Sequence, residues 1–243
     1  MKSQWSGKKV AFIGDSITDK CHVGTDKNYW QFLEETLEIV PLVYGQNGWQ
    51  SDGIREQAEW LLREHGQDVD AIFVLMGTND FNNSIAMGEW WDCTMQVVRH
   101  SYGTTPRCRR TPQMRSDTFR GRLNMGLSFL KETFPHAQIV LLTPIHRGYA
   151  IFSEDNVQPD ESFANGMGLF IQDYANAVKE AGPIWSVPVI DLFALSGLLP
   201  AMPAYSEFFH DAQTDCLHPN AQGHKRMALT MMYQMLALPA SFR

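Results

Sequence analysis

Short apolar runs that stop abruptly alternate with longer amphipathic stretches along most of this chain. Val10–Ile13 stops at Gly14, Leu42–Tyr44 at Gly45, and Ala71–Met76 at Gly77. Ile139–Leu142 stops at Thr143, and Val187–Leu192 reads as the last run of this kind. Between them lie helical patterns. Tyr29–Ile39 carries Trp30, Leu33 and Leu37, and Ile54–Arg63 carries Ile54, Ala58 and Leu61 at spacings of four and three. Phe119–Phe134 and Phe163–Ala181 are two further helices, and Pro219 suits the first turn of another that runs to about Leu236. Strands that alternate with helices must be joined by crossovers, so they pair in parallel with helices on both faces. The near-continuous apolarity of Ala71–Met76 suits a strand covered on both sides. The expected fold class is therefore α/β, a three-layer α/β/α sandwich around a central parallel sheet.

At 243 residues the chain is expected to form a single domain, 1–243, with an inserted segment at about 81–117. That insertion holds Trp90, Trp91 and the basic run Arg107 to Arg110, and Thr143–Ser162 is a second long connection. Connections of this length in an α/β domain usually carry function or subunit contacts, so a homo-oligomer formed through 81–117 is one expectation. The net charge of -7 argues against nucleic acid as a partner, and no apolar run approaches the roughly 20 residues of a membrane span. Cys21, Cys93, Cys108 and Cys216 lack CxxC spacing and read as reduced thiols. With a polar start and no apolar leader, the chain reads as cytoplasmic, or as periplasmic or secreted if trimmed from a precursor.

Chemistry-bearing residues follow the strands. Gly14, Asp15 and Ser16 come directly after the first run, at the carboxyl edge where open α/β sheets bind ligands. Serine needs a base before it can attack. Thr18 stands where the α/β-hydrolase elbow has its second glycine, so that motif is absent, and Asp15 or Ser16 could equally cap a helix. Asp215 and His218 are three residues apart, which in a turn or helix start puts both side chains on one side. A carboxylate there fixes the imidazole tautomer and leaves the other nitrogen as a base. Gly77, Thr78, Asn79 and Asp80 end the third run, and Gly48 follows the second. The Asn79 amide and the Gly48 backbone N–H are donors of the type an oxyanion needs, while plain turn chemistry is the alternative for each.

Taken together, GDS after the first strand, YGxxG after the second, GTND after the third and DxxH near the end resemble the SGNH, or GDSL, hydrolase superfamily. The blocks stand in family order and span Gly14 to His218; the first reads GDSIT, with Ile17 in place of leucine. The resemblance implies the flavodoxin-like fold of that superfamily. It implies Ser16 as nucleophile, Asp215 and His218 as its partners, and Gly48 and Asn79 beside the Ser16 N–H in an oxyanion hole. The stretch Ile139–Pro144 before His146 and Arg147 resembles GDSL-type acetyl esterases of Bacteroides-like bacteria.

The function expected from that resemblance is a serine esterase acting on small O-acyl groups, acetyl above all, on carbohydrate or another small molecule. A lysophospholipase or thioesterase is the rival within the class, and a non-catalytic carbohydrate-binding module on the same fold is the rival outside it. Asp15, Trp49, His146 and Arg147 are further candidates for touching substrate; Trp49 could instead pack, and His146 and Arg147 could sit in a solvated loop. His210, Asp211, Asp215, His218 and His224 show no metal-ligand spacing, and no nucleotide-binding glycine motif follows a strand, so no metal or cofactor is expected.

Overall fold

The computed structural model describes residues 2–242. Its central sheet is built from β1 (Lys9–Gly14), β2 (Val40–Val43), β3 (Ala71–Leu75), β6 (Gln138–Leu142) and β9 (Val189–Ile190), all parallel, in the order β2-β1-β3-β6-β9. Successive side chains of a strand point to opposite faces. Ala11, Ile13, Ile72, Val74, Ile139 and Leu141 therefore feed one core, and Val10, Phe12, Ala71, Phe73, Val140 and Leu142 feed the other. The first core is closed by α2 (Ile54–His65), α4 (Phe119–Thr133) and α5 (Ile171–Trp185). The second is closed by α1 (Tyr29–Leu37) and α7 (Ala221–Met235). The three expected layers are present.

β1 lies between β2 and β3, so the chain leaves it in opposite directions in sequence order. The carboxyl ends of β1 and β3 thus flank the crevice where doubly wound sheets bind ligands. Short α3 (Thr78–Asn82) starts at the end of β3.

Several expectations need correction. Pro219 does not open a helix; it closes β11 (Asp215–Pro219), and the Asn220 side chain caps α7 by accepting from the N–H groups of Gln222 and Gly223. The helix expected from Phe163 begins only at Ile171, because Asn165 and the left-handed Gly168 (φ +74°) hold a turn before it. Val187–Leu192 is not the last strand. A second, four-stranded sheet follows the order β10-β11-β7-β8, with β7 (Ala150–Ser153), β8 (Asn156–Gln158) and β10 (Phe209–Asp211). Strands of three to five residues give too little alternation to be read from sequence. The insertion is a hairpin, β4 (Trp91–His100) and β5 (Gly103–Pro112), in which Cys93 and Cys108 form a disulfide. The reading of four reduced thiols fails there because antiparallel pairing sets their Cα atoms 5.9 Å apart, within reach of a bond; Cys21 and Cys216 are free. No helix among the described residues is long and apolar enough to cross a membrane.

Gly14 and Gly45, which end the first two apolar runs, both pack on Thr18. A Cβ at Gly14 would come within 2.7 Å of the Thr18 Cβ, and one at Gly45 within 2.6 Å. Thr18 cannot yield easily, since its hydroxyl is tied at 2.9 Å to the buried Tyr29 hydroxyl. Gly14→Ala is expected to cost about 1–3 kcal/mol of stability, read as a lower denaturant midpoint with an unchanged m value.

Candidate functional site

Ser16 sits on the turn that leaves β1. Thr18 and Asp19 donate their N–H groups to the Asp15 carbonyl, and the Ile17 N–H donates to the Asp15 carboxyl at 3.0 Å. Asp215 and His218 arrive on β11, a strand and not the turn or helix start that the spacing suggested. What brings their side chains together is local: Asp215 Oδ1 accepts the N–H groups of Leu217 (3.2 Å) and His218 (3.0 Å). The His218 Nδ1 then lies 2.9 Å from Asp215 Oδ2, and its Nε2 lies 2.9 Å from Ser16 Oγ. A carboxylate only accepts, so Nδ1 carries the proton and Nε2 is left to accept from the serine hydroxyl. The three residues lie 202 positions apart in sequence at their widest and are each at most 6% exposed.

Burial pushes the Asp215 carboxyl up, but the hydrogen bond and charge of His218, with the two backbone N–H groups, hold it below the usual carboxylate range. Asp15, beside it in the crevice, behaves oppositely. Burial, offset only partly by the Ile17 N–H and the charge of His218, pushes it up to about 7.

The loop between β2 and α2 carries Gly48 and Trp49. Gly48 takes φ +78°, a conformation that suits glycine, and is exposed. Asn79 lies in the first turn of α3, and one of its two amide N–H groups goes to the Trp49 carbonyl at 3.0 Å. The Trp49 ring is half-buried, packed on Trp60 (5.2 Å between centroids) and against Gly53.

Three further residues pin this loop, and sequence reasoning missed them as site residues. The Asp19 carboxylate accepts the Asn47 N–H at 2.8 Å. Asp80, fully buried, accepts the Ser51 N–H (2.9 Å), the Ser51 hydroxyl (2.6 Å) and Arg122 Nη1 (3.0 Å). Arg122 also reaches the Gln50 side chain and the Ser116 carbonyl. Asp80 was visible as the last letter of GTND, but nothing in sequence links it to Arg122, 42 residues on. Even with that partner, burial raises its carboxyl above the ordinary range.

His146 and Arg147 lie on the far side. His146 pairs with Glu161 at 2.7 Å and packs tilted against the Phe193 ring. Arg147 is not in a solvated loop: it is 1% exposed, and its guanidinium donates to Asn82, Gln158, Pro159 and Gly148. Burial lowers it to about 10. Its donors are spent on the protein, joining α3 to β8. A cavity of about 240 Å³ opens beside this clamp, lined by Phe81, Asn82, Val157, Phe163 and Asn165 among others. Exposed Phe152, on β7, places its ring 5.4 Å from that of His218.

A family model described as GDSL-like lipase/acylhydrolase matches residues 12–226. No curated protein matches the chain. Among solved structures, a protein from Lactobacillus plantarum superposes with a TM-score of 0.73 at 23% identity, over 96% of this chain and 98% of its own. A possible lipase from Chitinophaga pinensis gives 0.65 at 23%, over 95% and 99%. A catalytic mutant of an acetylxylan esterase from Geobacillus stearothermophilus gives 0.56 at 20%, over 97% and 96%. At these identities the likeness is one of fold.

Two outcomes test the electrostatics. Arg122→Ala leaves the Asp80 charge buried without its partner and is expected to cost about 3–5 kcal/mol in denaturant unfolding. Between about pH 4 and about pH 7 the folded chain keeps a proton on Asp15 that the unfolded chain has released, so this residue's contribution to stability falls as pH rises through that window. Asp15→Asn removes the term: from pH 4.5 to pH 8 the variant's denaturant midpoint is expected to drop less than the wild type's.

Proposed function

The chain belongs to the GDSL-like lipase/acylhydrolase family, and we propose that it is a serine esterase that removes small O-acyl groups, acetyl above all, from carbohydrate or other small-molecule esters. One observation carries the reading: His218 stands 2.9 Å from Ser16 on one side and 2.9 Å from Asp215 on the other. In this reading His218 Nε2 takes the Ser16 proton as Oγ bonds to the ester carbonyl carbon. Asp215, with its carboxyl held in the charged form, stabilises the imidazolium. The carbonyl oxygen becomes an oxyanion, held by the N–H groups of Ser16 and Gly48 and by the second amide N–H of Asn79. As the tetrahedral intermediate collapses, the leaving alcohol takes the proton from His218. Water then attacks the acyl-enzyme by the same route and frees the acid. The chemistry draws on residues from Ser16 to His218, which the proposal places in one domain.

Carbohydrate as the acyl carrier rests on the fold shared with an acetylxylan esterase and on the exposed Phe152 ring beside His218, an aromatic surface on which a sugar could pack. Trp49, committed to Trp60, offers only a half-buried edge. Asp15, 1% exposed, is assigned to shaping the turn that presents Ser16, where it accepts the Ile17, Thr18 and Asp19 N–H groups.

Ser16→Ala is expected to abolish turnover of p-nitrophenyl acetate, and labelling by a fluorophosphonate probe, in a protein that still folds. Asn79→Ala is expected to lower kcat by about 10²–10³. In a panel of p-nitrophenyl esters from C2 to C12 the best rate is expected at C2. A best rate at C8 or above overturns the small-acyl reading in favour of a lysophospholipase or thioesterase; full activity in Ser16→Ala overturns the serine mechanism itself.

A further inference from the structure

The hairpin β4–β5 is anchored at its base, where the half-buried Trp91 packs against the first core, and projects from the body beyond it. Residues 92–99 and 101–111 are all exposed, and Met95 and Val97 are 68% and 73% exposed. The register sorts its side chains. Cys93, Met95 and Val97 share a face with Pro106 and Cys108, a short apolar stripe that holds the disulfide and is flanked on the same face by Arg110, opposite Cys93, and by Arg99. The opposite face presents Thr94, Gln96, Val98, Arg107 and Arg109. An isolated two-stranded ribbon is at best marginally stable in water, and both of its edges are unpaired. A ribbon that leaves one apolar face uncovered is therefore expected to rest on something.

Charge points to what covers it. The 22 residues from Trp91 to Pro112 hold four arginines, Arg99, Arg107, Arg109 and Arg110, against one acid, Asp92. They carry +3 in a chain of -7, which leaves -10 on the other 221 residues. Nucleic acid or an anionic lipid surface, approaching the arm, would meet that acidic body as well. A second copy of this chain does not conflict: it brings an acidic body to each basic arm, and a two-fold arrangement uses both arms at once and closes.

We propose that the 91–112 hairpin is an assembly arm that lies on the body of a second copy of this chain, with its apolar stripe inward and the flanking Arg99 and Arg110 on the partner's acidic surface. The base of the arm is coupled to the candidate site. Asn124 on α4 donates to the carbonyls of Trp90 and Gln113 at the two ends of the hairpin, and Arg122, two residues earlier, binds Ser116 and Asp80. Assembly would therefore bear on the loop that carries Gly48.

The test is sedimentation velocity of the full chain, with Met95→Lys/Val97→Lys as the variant. Both side chains are exposed in the single chain, so the change leaves its core intact. The wild type is expected to sediment at about twice the 27.6 kDa chain mass at low micromolar concentration. The variant is expected to associate at least about tenfold more weakly, with unchanged circular dichroism, and 0.5 M salt to weaken the wild type as well. A wild type that stays monomeric overturns the proposal, whether or not it floats with anionic vesicles. So does an oligomer that the double variant leaves intact.

Discussion

Gln57 reaches from α2 to Gly14 and makes two hydrogen bonds there, accepting its N–H and donating to its carbonyl, each at 2.9 Å. The pair is fully buried. It holds the last residue of β1 at the point where the chain turns to present Ser16, and Gln46 from the neighbouring loop donates to the same carbonyl. A polar side chain buried this deeply is tolerated because both of its groups are satisfied. Thr18 wedges against Gly14 and Gly45 one step further on, so the nucleophile turn is held by fitted volume as well as by hydrogen bonds.

The remaining parts of the site hang on carboxylates, and each is used differently. Asp19 and Asp80 hold the loop of Gly48 and Trp49 through backbone N–H groups, and Asn79 holds it through the Trp49 carbonyl. Asp215 folds back on its own backbone before it meets His218. Asp15 has too few donors to offset its burial, and the neighbouring charge of Asp80 adds to the cost, so it keeps its proton far above the usual range. Asp15, Asp80 and Asp215 thus differ in how firmly they hold a proton because they differ in the donors that face them.

Much of this was legible in the chain itself. The long apolar runs and amphipathic stretches marked β1, β3, β6, α1, α2 and α4 to within a few residues, because burial on both faces of a parallel sheet imposes a pattern too regular to miss. The short strands of the second sheet were not legible, nor was the delayed start of α5, where an Asn165 side chain holds a turn that hydrophobic periodicity does not register. The hairpin escaped because both of its faces are exposed, which removes the core-facing alternation that reveals a strand.

The order of the motif blocks and the strand–helix alternation determined the sheet, its carboxyl edge and the residue types gathered there, since each turn follows its strand within a few residues. Distances across the chain were another matter. That His218 reaches Ser16 from 202 residues away, that Arg122 neutralises Asp80, that Arg147 is consumed by Asn82 and Gln158, and that Cys93 meets Cys108 were decided only when packing closed the chain. Local pattern follows from which face of each element is apolar; the pairing of groups far apart in sequence depends on how the faces meet, and no spacing along the chain encodes that.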